Sequence, residues 1–573
     1  MKTMKRIMAL LICFVMVMGM TVTAFADATK YTVTITNNNT DKAQHTYEAY
    51  QIFSGDLAEK DGATTLSNII WGGGIDSSKL ATLASDINNL KTGLNLTKDS
   101  SASDFADAIA NLSASSDGET AQKLAQAIGK ALSTVVAGTS THSDTDQKYK
   151  IADLEAGYYL IKDKKDSLDN KENGAYTRFM LQVVKDTSVT EKASVPSVEK
   201  KVDDKNDSST TEDGEVWQDS ADYDFGDEVP FKLTATTADT VSDYTSYHVT
   251  FEDTQSEGLD APTSFKITVL DQTLNLDSNT IDTTKSAETA NGTTIKAEVI
   301  KADTDCTFAI KVTFTNKTVG NKIDNEANGI PIVVTYNSVL KDSAVVGATG
   351  NPNEVYLKYS NNPNSTDDSE DSEGKTPKDK VIVFTYKAIV NKTDEAGNKL
   401  DGAGFTLYKK VADESTVGAK KGSEIKKALT SANESIKADA LDDDSYYIAK
   451  TMTATKDDAS IFELSGIDDG DYVIVETTIP SGYNAFEAKS FKISADHETK
   501  SDDPKLISLT APNIFTATKT DGGILEATIK NNSGSTLPST GGIGTRIFYI
   551  IGGILMAAAA VVLITKARYK KEK

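Results

Sequence analysis

The stretch VIVFTYKAIV, residues 381–390, is rich in β-branched and aromatic residues and contains neither Gly nor Pro. Such a composition is typical of a sheet strand. Similar short runs recur along the chain as KYTVTITN (30–37), YHVTFED (247–253), IPIVVTYN (330–337) and YVIVET (472–477). Because Asp, Asn, Gly and Ser bound these runs, the sequence predicts a mainly β protein.

One region between residues 105 and 132 departs from the strand pattern. Apolar side chains recur there at helical spacing, first at Phe105, Ala108, Ile109 and Leu112, and then at Ala121, Leu124, Ala125, Ile128 and Leu132. Ser116 and Glu119 have the spacing of a capping box before the second segment. We therefore expect helical insertions on a β core in this part of the chain.

Two polar segments mark boundaries between domains. TEKASVPSVEKKV (190–202) contains a Pro and precedes a new strand pattern, and NSTDDSEDSEGKTPKDK (364–380) has the acidic composition of a linker. With the two ends of the chain set apart, the predicted division is 1–26, 27–193, 194–376, 377–535 and 536–573.

Both ends of the chain carry apolar segments. The first 26 residues have a basic start, an apolar run and the small-residue site Ala24-Phe25-Ala26, which predict a secretory signal peptide cut before Asp27. Residues 547–565 are uncharged and long enough to span a bilayer as a helix. The basic residues that follow this span should stay on the cytoplasmic side.

Composition excludes several classes of function. The chain has 60 Lys and Arg against 84 Asp and Glu, a formal net charge of −24, which argues against a nucleic-acid partner. Cys13 lies in the predicted signal peptide, so Cys306 has no partner for an internal disulfide. The four His lack ligand spacing, and the acidic run 367–373 lacks the spacing of a calcium loop. We predict no metal and no cofactor.

The segment LPSTGG (537–542), the apolar span and the basic tip resemble, in this order, the cell-wall sorting signal of Gram-positive surface proteins. In that family a membrane sortase uses a Cys nucleophile to cut after the Thr, which it holds as a thioester. The resemblance implies cleavage between Thr540 and Gly541, after which an amine receives Thr540. The implied sorting motif is Leu537, Pro538, Ser539, Thr540 and Gly541.

Residues 390–409, VNKTDEAGNKLDGAGFTLYK, resemble the opening of a CnaB-type Ig-like domain, and the segment around Glu476 resembles the E-box of such domains. The resemblance implies an intramolecular isopeptide bond between Lys392 and Asn531, with Glu476 as the catalytic acid. Asn532 is the alternative acceptor. Burial would favour this chemistry, because it shifts a Lys toward the neutral amine and a Glu toward the neutral acid.

The second domain opens with VPSVEKKVDD, which resembles the start of the D2 domain of backbone pilins. The resemblance implies an isopeptide bond between Lys200 and Asn353, with Asp253 as the acid. Strand alternation places Lys200 on the inward face. Glu252 and Asn351 are the alternatives for the acid and the acceptor.

The first domain lacks such a set of residues. Its segment LEAGYYLIKD (154–163) resembles a degenerate E-box with Asp163 in the acid position, and its closing strand RFMLQVV (178–184) contains no Asn. We predict no isopeptide bond there.

Backbone pilins join their subunits through a Lys at the end of the first domain. The resemblance implies Lys192 for this role, although Thr190 and Glu191 stand where the family often has Tyr and Pro. Lys185 is the alternative.

The resemblance as a whole implies tandem Ig-like β-sandwich domains in a major (backbone) pilin subunit that supports adhesion. A pilus-class sortase would join Thr540 to a Lys of the next identical subunit. Accessory pilins, and peptidoglycan through a housekeeping sortase, are the other implied partners, and no host or matrix ligand is specified. The chain would be a sortase substrate and not a turnover enzyme. The alternatives are a monomeric LPXTG wall-anchored adhesin and a minor basal pilin.

Overall fold

The computed structural model of the 573-residue chain describes residues 29–37, 43–60, 63–91, 93–113, 118–143, 148–191, 194–205, 214–244, 246–277, 284–290, 292–316, 323, 329–363, 372–412, 414–518, 522–534 and 543–569. The predicted signal peptide, Lys192 and the LPSTGG motif lie outside these residues.

The first domain combines two sheets with three helices, which confirms the predicted β core with helical insertions. The sheet orders are β5-β6-β1-β9 and β3-β2-β7-β8, and β4 pairs with β2. The strands are β1 (Tyr31–Thr36), β2 (Tyr47–Lys60), β3 (Ala63–Trp71), β4 (Gly138–Thr139), β5 (Thr141–Ser143), β6 (Lys148–Leu154), β7 (Gly157–Asp163), β8 (Arg178–Val183) and β9 (Thr187–Thr190). The helices are α1 (Leu80–Asn88), α2 (Ala102–Ser113) and α3 (Gly118–Lys130).

The helices cover one face of the second sheet. Phe105 and Ile109 of α2 and Ile128 of α3 are buried in one cluster with Tyr158 and Leu160 of β7. The apolar spacing identified α2 and α3 correctly, whereas α1 was not predicted.

The second domain is a two-sheet sandwich with a large apolar core. Its sheets have the orders β11-β10-β13-β20-β15-β16 and β12-β23-β21-β14-β19-β18-β17, and β22 pairs with β21. The strands are β10 (Ser197–Asp203), β11 (Trp217–Gln218), β12 (Ser220–Asp222), β13 (Glu228–Thr236), β14 (Ser246–Gln255), β15 (Ser264–Val269), β16 (Gln272–Asp277), β17 (Thr284–Glu288), β18 (Thr293–Ile300), β19 (Phe308–Asn316), β20 (Pro331–Val339), β21 (Asn351–Ser360), β22 (Glu373–Lys375) and β23 (Asp379–Phe384).

The third domain is a second sandwich, with sheet orders β28-β29-β24-β34-β33 and β26-β27-β25-β30-β31-β32. Its strands are β24 (Tyr386–Asp394), β25 (Gly404–Val411), β26 (Lys420–Lys421), β27 (Tyr446–Thr451), β28 (Thr453–Ala454), β29 (Ile461–Ile467), β30 (Gly470–Thr478), β31 (Lys489–His497), β32 (Leu506–Thr510), β33 (Thr516–Ala517) and β34 (Ile524–Asn531). It also carries a helix that was not predicted, α4 (Gly422–Ala432).

A long apolar helix, α5 (Ile543–Tyr569), follows the third domain. Its stretch Tyr549–Lys566 has a mean hydropathy of 2.0 and is long and apolar enough to cross a membrane. This stretch coincides closely with the span predicted at residues 547–565.

The run 381–390 looks like a single strand in the sequence, but two domains share it. Strand β23 pairs with β21 and β12 in the sheet of the second domain, and β24 pairs with β29 and β34 in the third. Only the buried Thr385 separates the two strands. By its pairing, the second domain therefore extends to Phe384, beyond the predicted boundary at 376, and the next domain follows at once.

The second and third domains also meet at Phe225, which lies in the loop after β12. Its backbone N–H donates to the carbonyl oxygen of Gly466 at 3.2 Å. Gly466 has a φ of +77°, and a Cβ at this position would lie 2.0 Å from Cγ of Phe225. The close approach of the two domains therefore requires Gly at 466.

We predict that Gly466→Ala loosens this contact. Gly482→Ala is the matched control, because Gly482 has a φ of +88° but no atom within 4 Å of the added Cβ. Both changes incur left-handed strain of about 1–2 kcal/mol, and only Gly466→Ala adds overpacking of about 1–3 kcal/mol. Urea unfolding of both variants measures the difference. Equal destabilisation would contradict a tight contact at Phe225.

Candidate functional site

A lysine side chain lies in the core of the second domain. Lys200 is on β10 opposite Leu233, and its side chain has no solvent exposure. Its Nζ lies 5.6 Å from the ring centroid of Phe231 and 5.7 Å from that of Tyr336. Because β10 exposes Ser197 and Glu199 and buries Lys200 and Val202, the lysine points inward as alternation predicts.

The structure brings the three predicted residues of this domain together. Nζ of Lys200 donates to Oδ2 of Asp253 at 2.5 Å and to Oδ1 of Asn353 at 2.5 Å. Asp253 lies on β14 and Asn353 on β21, both in the sheet that faces β10. The side chains of all three have no solvent exposure, so this triad joins the two sheets inside the core.

A fourth member, Tyr336 of β20, was not predicted. Its hydroxyl accepts from Nζ of Lys200 at 3.1 Å and from Nδ2 of Asn353 at 3.0 Å, and donates to Oδ2 of Asp253 at 3.2 Å. The strand run 330–337 was recognised, but nothing in that run singles out Tyr336 from other inward aromatic residues. Tyr336 fixes the geometry of the other three.

Burial acts on both ionisable members of the triad. It lowers the pKa of Lys200, and the nearby charge of Asp253 offsets only part of this shift. It raises the pKa of Asp253, with Lys200 and Tyr336 acting in the opposite direction. Both directions favour the neutral amine and the neutral acid, which are the forms needed for attack on an amide.

The alternative residues of this domain lie elsewhere. Glu252 points to the other face of β14, where it pairs with Lys358 at 3.2 Å. Asn351 is buried, but its amide donates to the carbonyl oxygens of Val345 and Val383. Neither of these side chains contacts Lys200.

The third domain contains a second triad with a different arrangement. Nδ2 of Asn531 donates to both carboxylate oxygens of Glu476, at 2.8 and 3.0 Å. Lys392 lies on β24, and its Nζ donates to the backbone carbonyl oxygens of Thr393 and Ile529 at 3.2 and 3.3 Å. Because β24 and β34 run parallel with Lys392 opposite Ile529, Lys392 and Asn531 lie on neighbouring strands.

The three side chains of the second triad are also buried. Burial lowers the pKa of Lys392 and raises that of Glu476. The backbone N–H of Phe486 donates to Glu476 at 2.7 Å, and Oδ1 of Asn531 has no hydrogen-bond partner. Asn532, the alternative acceptor, is exposed.

The first domain places its E-box-like acid in a different setting. Oδ1 of Asp163 lies 2.7 Å from Nδ1 of His45, and both side chains are buried. Among the described residues of this domain no lysine is buried. Lys185, the alternative linkage lysine, is exposed between β8 and β9.

One further buried lysine, Lys409 on β25, was not predicted. Its Nζ lies 3.0 Å from Oδ2 of Asp224 and 2.5 Å from Oδ1 of Asp468. Asp224 belongs to the second domain and Asp468 to the third, and Lys450 adds a contact of 2.8 Å to Asp224. This group is an ion-pair network of lysines and carboxylates across the domain junction.

Comparisons with known proteins agree with this architecture. Residues 387–505 match the family model of the SpaA prealbumin-like fold domain, and residues 529–573 match the LPXTG cell wall anchor motif. Over 263 residues the chain is 29% identical to the trypsin-resistant surface T6 protein of Streptococcus pyogenes serotype M6. That match covers 41% of this chain and 48% of the relative, so it spans about half the relative's length.

Two solved structures resemble the chain at low identity. The T6 backbone pilin of serotype M6 S. pyogenes is 16% identical with a TM-score of 0.48, and the match covers 89% of this chain and 100% of that one. The full-length major pilin SpaD from Corynebacterium diphtheriae is 16% identical with a TM-score of 0.43, covering 88% and 98%.

The chain is therefore a cell-wall-anchored surface protein of the Gram-positive type, with a prealbumin-like domain before its LPXTG anchor. It is similar to the streptococcal T6 surface protein over about half of that protein's length. The apolar helix α5 fits a transient membrane anchor after the sorting motif.

We predict that Tyr336→Phe destabilises the second domain by about 1–3 kcal/mol, because it removes hydrogen bonds from a buried Lys, acid and amide. Tyr247→Phe is the matched control, since the buried hydroxyl of Tyr247 lies in the same core near the backbone of Ala238 but makes no hydrogen bond of normal geometry. Removal of that hydroxyl should be nearly neutral. Thermal or urea unfolding compares the two, and similar losses would contradict the role assigned to Tyr336.

Proposed function

We propose that the chain is the major, backbone subunit of a covalently polymerised pilus that supports adhesion. The observation that carries the proposal is the presence of two buried Lys, acid and Asn triads in consecutive sandwich domains before an LPXTG anchor. A related structure, that of T6, is described as a backbone pilin. The alternative functions, a monomeric wall-anchored adhesin and a minor basal pilin, would not require this chain to polymerise.

Each triad would form one isopeptide bond. Neutral Nζ of the Lys attacks Cγ of the Asn, the new C–N bond forms as the bond from Cγ to Nδ2 breaks, and the amide nitrogen leaves as ammonia with the one proton that the amine releases. In the second domain Asp253 contacts the amine, so it is placed to relay its proton. In the third domain Glu476 contacts the amide nitrogen of Asn531, so it is placed to protonate the leaving nitrogen.

Polymerisation would be carried out by a pilus-class sortase. The sortase would transfer Thr540 to Lys192 of the next identical subunit, or to Lys185, which is exposed. Accessory pilins would join the same polymer, and a housekeeping sortase would attach its base to peptidoglycan. The pilin is a substrate in these steps, and its own internal bonds form only once.

Tension in such a polymer would enter near residue 192 and leave at 540. The Lys200–Asn353 and Lys392–Asn531 bonds would carry this load through the second and third domains. The first domain lies outside this path, which agrees with the lack of a buried lysine among its described residues.

We predict that the mass of the full-length folded chain is lower than that of its sequence, after any signal cleavage, by two ammonia molecules. Lys200→Ala should remove one of the two losses, whereas Lys201→Ala should remove none, because Lys201 is the outward neighbour paired with Glu199 and Asp219. Glu476→Ala should also remove one loss while the third domain still folds. Intact-mass spectrometry reads each result directly.

Two results of the mass measurement would contradict the prediction of one bond in each triad. A wild-type chain without any deficit would overturn the internal bonds in both domains. A third loss would show that the first domain, or the Lys409 network, also reacts.

We predict that wall extracts of cells that express the chain with its sortase give a high-mass ladder on an immunoblot. Thr540→Ala should abolish the ladder, and Lys192→Ala should reduce it to monomer, while Lys185→Ala should leave it intact. A single band from the unmodified chain would favour the lone adhesin. A ladder lost only in Lys185→Ala would move the linkage to that residue.

A further inference from the structure

A cluster of acidic side chains and one histidine lies at the junction of the second and third domains, apart from both triads. Asp204 follows β10, Asp222 ends β12, and His497 ends β31 of the other domain. A carboxylate oxygen of each Asp and one ring nitrogen of His497 all lie within 4.8 Å of one another. We propose that these three side chains bind a divalent cation that fastens the second domain to the third.

The hydrogen bonds of His497 leave one ring nitrogen available as a ligand. Its Nδ1 lies 2.7 Å from Oγ of Ser220, and the same Oγ donates to the carbonyl oxygen of Glu498 at 2.6 Å. A hydroxyl has one proton, so Ser220 must accept from Nδ1–H. The lone pair is then on Nε2, the arrangement of a metal-binding His whose other nitrogen is held by a second group.

The carboxylate of Asp222 has an oxygen that no hydrogen bond satisfies, which points to an absent ligand at this position. Its side chain is 2% exposed, and its Oδ2 has no hydrogen-bond partner. The buried hydroxyl of Tyr386 lies beside this carboxylate and lowers its pKa, but neither the hydroxyl nor Oδ2 makes a hydrogen bond of normal geometry. A buried carboxylate oxygen without a partner is costly, and a cation would satisfy it.

Asp204 is held in position by its own contacts. Nε2 of Gln218 donates to its Oδ2 at 2.6 Å, and the backbone N–H of Asp222 lies 3.3 Å from its Oδ1. These contacts fix the orientation of Asp204 without neutralising its charge.

The local charge balance is negative. The carboxylate of Asp469 adds a further negative charge close enough to interact with Asp204, Asp222 and His497. The positive charge of Lys409 favours the ionised form of Asp222. Its amine is, however, already in ion pairs with Asp224 and Asp468. A bound cation would supply the positive charge that this side of the junction lacks.

The donor set indicates the kind of cation. Two carboxylates and an imidazole suit Zn²⁺ or Mn²⁺, whereas Ca²⁺ takes six to eight oxygen ligands. Because the ligands come from two domains, binding would be tightest when the domains are docked. The ion would therefore stiffen the junction next to Thr385, where the chain passes from one domain into the other.

The test uses the full-length chain in detergent micelles, stripped with EDTA and dialysed separately against Zn²⁺, Mn²⁺ and Ca²⁺. Elemental mass spectrometry should find about one Zn²⁺ or Mn²⁺ per chain, and the bound ion should raise Tm. His497→Gln and Asp204→Asn should abolish this stoichiometric binding and the rise in Tm. Ser220→Ala should weaken binding by about 10- to 100-fold, because it removes only the group that orients His497.

His142→Gln is the control, since His142 is partly exposed in the first domain and should leave binding unchanged. Circular dichroism checks that each variant folds. If His497→Gln does not fold, the cation binding measured with Ser220→Ala decides the result. Binding of Ca²⁺ in place of Zn²⁺ and Mn²⁺ would overturn the site. So would binding that persists in both ligand variants, or the absence of stoichiometric binding in the wild type.

Discussion

The constraint on which the structure depends is a primary amine held in an apolar core. A charged lysine with no solvent exposure is costly unless its charge is paired or removed. Lys200 and Lys392 both meet this constraint, and burial lowers the pKa of each while it raises that of the acid in the same triad. The core that makes an ionised lysine unfavourable is therefore the environment that would make it a nucleophile.

The two triads meet this constraint with different topologies. In the second domain the lysine and its acceptor are on opposing sheets, so a bond between them would cross the sandwich, and Tyr336 lies among all three groups. In the third domain Lys392 and Asn531 are on neighbouring parallel strands of one sheet, and Glu476 reaches them from the other. Asn531 and Glu476 are hydrogen-bonded to each other without the lysine, and Oδ1 of Asn531 has no partner, whereas the hydrogen bonds of the first triad centre on the amine.

The resemblance to pilin domains supplied the residues of both triads, and strand alternation predicted which of their neighbours point inward. Alternation turns Lys200 inward and Lys201 outward, and it buries Asn531 while Asn532 remains exposed. The features that the sequence did not predict depend on contacts between residues that are far apart in the chain. The run 381–390 has the composition of one strand, and only the different partners of β23 and β24 divide it at Thr385. Residue spacing likewise suggested no metal site, since the fold brings His497 to Ser220 across 277 positions.

If both internal bonds form, the extensible part of the load path becomes short. A covalent route would run from Lys200 to Asn353, along the main chain to Lys392, and across to Asn531. Between the two bonds, the main chain from Asn353 to Lys392 is then a loaded stretch that no internal bond bypasses. Strand β23 lies within it, hydrogen-bonded between β21 and β12, and Asp222 of β12 pairs with Phe384. Stiffness of the whole subunit would then be set at this junction, where the Lys409 ion pairs and the Asp204, Asp222 and His497 cluster both join the two domains.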